Sequence, residues 1–164
     1  MTSVEVNLNP AECNSAAGHG IKRTLDAIGR EAQNHHGMTG HGWTEGIEGA
    51  AAELAVSKYL GVYWCGGGMY KNPDVAGNIQ VRWASSHYYQ LIVRPLDPED
   101  DYYVFVTGEM PNYKLHGFIK GSDAKREDRL DAPNGRPAAY FTPSKELLPI
   151  DKLSWYVKPE VVNG

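Results

Sequence analysis

Residues 3–8, Ser-Val-Glu-Val-Asn-Leu, alternate polar and apolar, the period-two pattern of an edge strand. Asn9-Pro10-Ala11-Glu12 then opens a helix, with Asn9 as the cap, Pro10 at the first helical position and Glu12 two residues further on. That helix is predicted to run to about Ala32, with Ile21, Leu25 and Ile28 at helical spacing and Gly18 and Gly20 weakening its middle. A second helix is predicted over Thr44 to Leu60, with Gly61 as its stop signal. Its apolar stripe, Ile47, Ala51, Leu54 and Ala55, is built largely of small residues, so the helix can lie very close to a sheet. Strands follow at about 78–83, 90–93, 102–107 and 113–119, separated by good turn chemistry. Four strands in a meander imply antiparallel pairing. Residues 122–130 read as a short, charged, exposed helix and 133–137 as a rigid loop. Residues 138–141 read as a late strand and 147–156 as a short C-terminal helix. The expected fold is α+β, a central mixed but largely antiparallel sheet of about five strands flanked by helices.

At 164 residues the chain is expected to form one domain, 1–164, whose strand and helix over 3–33 pack on a core of about 43–156. Apolar residues make up 41% and charged residues 22%, ordinary for a globular protein. No apolar run approaches the roughly 18–20 residues that span a bilayer, and the polar N-terminus does not resemble a signal peptide. Cys13 and Cys65 are far apart and match no metal-ligand spacing, so they are expected as unpaired thiols of a reducing cytoplasm. A net charge of −4 argues against a surface that grips nucleic acid everywhere, but not against a localised basic site.

Candidate chemistry narrows to a few positions. Glu53 falls beside the apolar stripe, where a carboxylate is costly to desolvate unless something pairs with it. The plain alternative is that it reaches the helix edge and pairs with Lys58. His35, His36 and His41 in a Gly-rich loop invite a metal, but no second ligand cluster accompanies them. Cys65-Gly66-Gly67-Gly68 lacks the Lys-Ser/Thr of a phosphate-binding loop and reads as flexible entry into a hairpin. Asp97, Glu99, Asp100 and Asp101 lack calcium-loop spacing and read as a solvated turn. The aromatic patch Trp83, His87, Tyr88 and Tyr89 is expected to be half core and half surface, though such rings can stack on bases.

The most informative run is Asn72-Pro73-Asp74-Val75-Ala76-Gly77-Asn78-Ile79-Gln80-Val81-Arg82. An acid follows a Gly-rich stretch, and six residues later a short strand carries Gln80 and Arg82 on one face. With Glu53 on the preceding helix, this order resembles the PD-(D/E)XK nuclease superfamily. Pro73-Asp74 stands for the PD and Gln80-Val81-Arg82 for the (D/E)XK. The runs Ala52-Glu53-Leu54-Ala55, Tyr59-Leu60-Gly61, Leu91-Ile92-Val93, Gly117-Phe118-Ile119-Lys120-Gly121 and Phe141-Thr142-Pro143 resemble small phage and prophage members, over roughly residues 45 to 155.

The resemblance implies hydrolysis of DNA phosphodiesters with Mg²⁺ or Mn²⁺ held by Glu53, Asp74, Gln80 and the Val81 carbonyl. Such an ion would neutralise the phosphate and activate water, with Arg82 at the catalytic cation position. It also implies a protein of the host cytoplasm with a nucleic-acid partner and no membrane. The two substitutions change the chemistry. Gln80 offers a neutral oxygen in place of a carboxylate, and Arg82 cannot lose a proton near neutral pH. The alternative expectation is therefore a nuclease fold that does not cut and binds nucleic acid or a host protein.

Overall fold

The cap predicted at Asn9 is reciprocal: the Glu12 N–H donates to Asn9 Oδ1 and the Asn9 N–H to Glu12 Oε1, both at 2.8 Å. It starts helix α1, Pro10–Gly29, directly after strand β1, Val4–Asn7. The computed structural model describes residues 3–29, 42–66 and 72–160. The end predicted for α1 near Ala32 and the loop of His35, His36 and His41 lie outside those residues, as do Gly67 and Gly68 of Cys65-Gly66-Gly67-Gly68.

The face that α1 buries is Ala16, Gly20 and Thr24. Ile21, Leu25 and Ile28, which share a helical spacing, are 41%, 54% and 40% exposed. Close approach of the next helix, α2 (Trp43–Leu60), decides this. A Cβ on Gly20 would stand 2.5 Å from Ile47 Cα and 2.6 Å from the Gly46 carbonyl oxygen. Backbones that close admit only small residues between them, so α1 turns its larger side chains away. Helix α2 stops at Gly61 as predicted, with φ 69°. It is covered by α1 on one side and the sheet on the other, and Ala50, Ala51, Ala52, Ala55 and Val56 are fully buried. Ile47 and Leu54 of the predicted stripe are only partly buried.

The fold is α+β, with a mixed four-stranded sheet and a second, three-stranded sheet. Strands β4 (Tyr102–Glu109) and β5 (Asn112–Lys120) form an antiparallel hairpin, and β1 lies antiparallel on β5. The predicted meander fails at β2, Ile79–Ala84, which runs parallel to β4. Residues 85–101 are long enough to leave the sheet and return in the original direction. On the way they supply β3, Leu91–Val93, to the second sheet beside β7 (Ala139–Thr142), which also pairs with β6 (Leu130–Asp131).

The helix predicted over 122–130 shrinks to α3, Gly121–Ala124, followed by a 3₁₀ turn over Glu127–Arg129 and β6. Lys125 ends it by reaching back to the carbonyls of Pro95 (2.9 Å) and Asp97 (2.5 Å). The helix predicted over 147–156 is instead a 3₁₀ segment, Ile150–Trp155, entered from Pro149, and a further 3₁₀ turn, Ser144–Glu146, precedes that range.

Alternation along the strands divides the core. Ile79, Val81, Val104 and Val106 pack towards α2, whereas Tyr103, Phe105, Leu91, Val93 and Leu147 form a second core between the sheets. Gln80 and Arg82 are in register with Tyr103 and Phe105 and share their face.

The small-residue helix contact predicts opposite effects for two glycines of α1. Gly20→Ala should lower stability by about 1–3 kcal/mol through backbone overpacking. Gly18→Ala, with nothing within 4 Å of the added methyl, should raise it by roughly 0.5–1 kcal/mol. Urea unfolding of the two variants checks the pair. Equal and positive shifts would contradict the packing described.

Candidate functional site

Asp74 is held by a tight turn. Val75 and Ile79 exchange backbone hydrogen bonds of 3.0 and 3.1 Å, and Ala76 takes a left-handed φ of 51°. The C-terminal segment clamps the turn from outside. Gly77 N–H donates to the Lys158 carbonyl at 2.8 Å, and Asn78 bonds both the Tyr156 carbonyl and the Lys158 N–H. A Cβ on residue 77 would stand 2.3 Å from the Pro159 oxygen, so the clamp requires glycine there.

The turn delivers Asp74 to the outer edge of β2, the last strand of its sheet. Edge amides have no strand partner and need another. The Val81 N–H finds Asp74 Oδ2 at 2.7 Å, and the Val81 carbonyl accepts from Arg82 Nη1 at 3.3 Å. The same Nη1 lies 3.9 Å from Asp74 Oδ2. Arg82 Nη2 donates to Asp97 Oδ2 at 2.8 Å and its Nε to the Ile92 carbonyl at 3.2 Å. The guanidinium carbon stands 4.9 Å from the centre of the Tyr103 ring. Asp97 Oδ2 also accepts the Arg94 N–H at 2.8 Å. One cation is thereby fixed between two carboxylates and two carbonyls.

Glu53 approaches from the helical side of the sheet. It does not pair with Lys58, which bonds Glu12 and the Asn7 carbonyl instead. Arg23 of α1 grips it bidentately at 2.7 and 2.9 Å and donates to the Gly66 carbonyl as well, and Trp64 Nε1 adds a 3.4 Å contact. Burial pushes the Glu53 carboxyl up to about 7; Arg23 works against the shift and the charge of Asp74 adds to it. Burial also raises Asp74, partly offset by the Val81 N–H, Arg82 and Arg23. The two acids thus feel each other, and Arg23 feels both.

Asp74 is therefore the link at the edge of β2: it accepts the Val81 N–H, faces Arg82 at 3.9 Å, and its charge acts on Glu53. Gln80 is buried on the second-sheet side, where its Nε2 donates to Asp101 Oδ2 at 2.9 Å. Arg23 escaped the sequence reading, and the bonds of Asp97 and Asp101 to the Gln80–Arg82 strand did too. Asp97 and Asp101 belong to a turn expected to be merely solvated, yet each bonds a residue of the Gln80–Arg82 strand. The only sequence signal was density of acids, which does not say where they point. Arg23 lies thirty residues from Glu53, and no local pattern joins them.

Among the described residues no group of three or more His, Cys, Asp or Glu side chains is arranged to hold a metal ion, and no helix is long and apolar enough to cross a membrane. Compared with protein-family models, curated proteins and solved structures, the chain has no match.

The raised Glu53 carboxyl has a consequence for stability. The folded state holds a proton that the unfolded state, with an ordinary value near 4.5, gives up. Stability is therefore greatest in acid and falls as pH rises through about 7, by roughly 3 kcal/mol at most. Urea midpoints between pH 4.5 and 8 should show that fall in the wild type. In Glu53→Gln it should be reduced, with what remains carrying the same sign from Asp74. An unchanged slope in Glu53→Gln would contradict the assignment.

Proposed function

We propose that this chain is a nucleic-acid-binding domain on a nuclease-like framework, one that holds its ligand without hydrolysing it. The observation that carries the reading is Arg82 Nη1, 3.3 Å from the Val81 carbonyl oxygen and 3.9 Å from Asp74 Oδ2. An aspartate and that carbonyl are two of the ligands that the PD-(D/E)XK resemblance assigns to a divalent ion, and here a guanidinium stands between them. Mg²⁺ or Mn²⁺ does not fit this donor set as arranged. Both Glu53 oxygens are taken by Arg23, and the Gln80 amide is engaged with Asp101. A hard cation needs several oxygens turned towards one point; Glu53 is turned towards Arg23, Asp74 and the Val81 carbonyl face Arg82, and Gln80 lies on the other side with Asp101.

A second reading, metal-dependent DNA hydrolysis, is favoured by one observation. Glu53 and Asp74 are both raised by burial, and Asp74 adds to the rise at Glu53, an unfavourable pairing that a divalent ion would relieve.

The two readings separate in one pair of assays. Under the first, a labelled DNA oligonucleotide binds equally well with EDTA or with Mn²⁺, and supercoiled plasmid stays intact in either metal. Metal-dependent nicking that disappears in Asp74→Ala would overturn it in favour of the second. Absence of any nucleic-acid binding would overturn both and leave a protein partner.

A further inference from the structure

Beside Arg82 the surface opens into a groove of about 840 Å³ between the end of β2, the residues that follow it and the second sheet. Tyr88 and Tyr89 line it and are 86% and 60% exposed, an unusual cost in apolar surface for two adjacent aromatics. The Tyr88 ring already packs on His87, with centroids 4.1 Å apart, so it is presented as a braced flat face. Phe141 and Leu130 add apolar wall.

The charged residues of the groove are almost all committed. Arg129 pairs with Glu146, Asp128 with Arg126, and Asp131 accepts the Ala132 N–H. Arg82 is bonded as described. Arg94 is the exception: its backbone is fixed to Asp97, but its guanidinium makes no hydrogen bond or ion pair among the described residues. Its charged neighbours are Asp97 and Arg82, and partial burial lowers its pKa. Its nitrogens are not among the buried polar atoms left without a partner, so they stay open to the groove, and a phosphate fits their forked donors.

We infer that this groove takes a short single-stranded nucleic-acid segment, with bases stacked on Tyr88 and Tyr89 and one phosphate on Arg94. This rests on the nucleic-acid reading above and names the class of ligand. The acids along the rim disfavour the closely spaced phosphates of a duplex, and stacking faces need unpaired bases. Few phosphates are neutralised, so the affinity depends weakly on salt.

The test is fluorescence anisotropy with labelled oligothymidylate and oligouridylate, beside a DNA duplex of equal length, at several salt concentrations in EDTA. Both single strands should bind more tightly than duplex, with a log–log salt slope of about −0.7 to −1.4, the value for one or two phosphates of a single strand. Tyr88→Ala and Tyr89→Ala should each weaken binding by roughly 5- to 100-fold. Arg94→Ala should weaken it about tenfold and flatten the slope by about 0.7, whereas Arg94→Lys should recover part of the loss. Circular dichroism establishes that each variant is folded. Duplex bound as tightly as single strand, or single-strand binding unmoved by the tyrosine and Arg94 variants, would overturn the groove and leave the nucleic-acid reading standing. No binding of either form would end both.

Discussion

The guanidinium of Arg82 fixes the relative position of three pieces of chain that no strand pairing joins. It bonds the Val81 carbonyl on the open edge of β2, the Ile92 carbonyl of β3 and the carboxylate of Asp97 in the turn before β4, and it faces Asp74 across 3.9 Å. An edge strand usually leaves its outer amides to water or to another chain. Here the edge at Val81 is closed by one acid and one base. Tyr103 lies against the guanidinium, so the cation is anchored to the second core as well. Taking Arg82 away would leave Asp74 facing Asp97, whose charge already raises the proton affinity of Asp74, without the cation that stands by both.

A second cation does related work on the helical face. Glu53 can sit buried on α2 only because Arg23 reaches it, and Arg23 can reach it only because α1 and α2 approach through Gly20 and Gly46. Small residues in one place thus permit a buried acid in another. The acid cluster at the sheet edge and the groove beyond it meet at Arg82, which belongs to both. That shared residue offers a physical route by which occupancy of the groove would be felt at Asp74.

Features set by neighbours in sequence could be read from sequence. Asn9, Pro10 and Glu12 announced the start of α1, and Gly61 the end of α2, because caps are local chemistry. The common face of Gln80 and Arg82 followed from the period of a strand. Features set by distant partners could not be read so. Ile21, Leu25 and Ile28 stand at helical spacing, but that spacing does not say which face packs, and a closely crossing helix claims the face of Ala16, Gly20 and Thr24. Residues 90–93 read as one more strand of the meander, since spacing alone does not say that Leu91 pairs with Thr142. The acid that looked out of place at Glu53 was a sound signal, and its partner was simply too far along the chain to name. Gln80 and Arg82 differ from the acid and lysine of the (D/E)XK pattern, but their spacing does not say that Arg82 lies within reach of both the Val81 carbonyl and Asp74.

The most direct test of that position is whether removing the guanidinium lets a metal in. Arg82→Gln keeps a hydrogen-bonding side chain and withdraws the fixed charge from between Asp74 and Val81. Thermal unfolding and calorimetry with Mn²⁺, on wild type and Arg82→Gln, measure metal binding through the stabilisation it confers. The account predicts that Mn²⁺ leaves the wild-type Tm unchanged and raises that of Arg82→Gln, with binding heat that disappears when Asp74→Ala is added. Mn²⁺ binding by the wild-type protein that is lost in Asp74→Ala and unaffected in Arg82→Gln would contradict it.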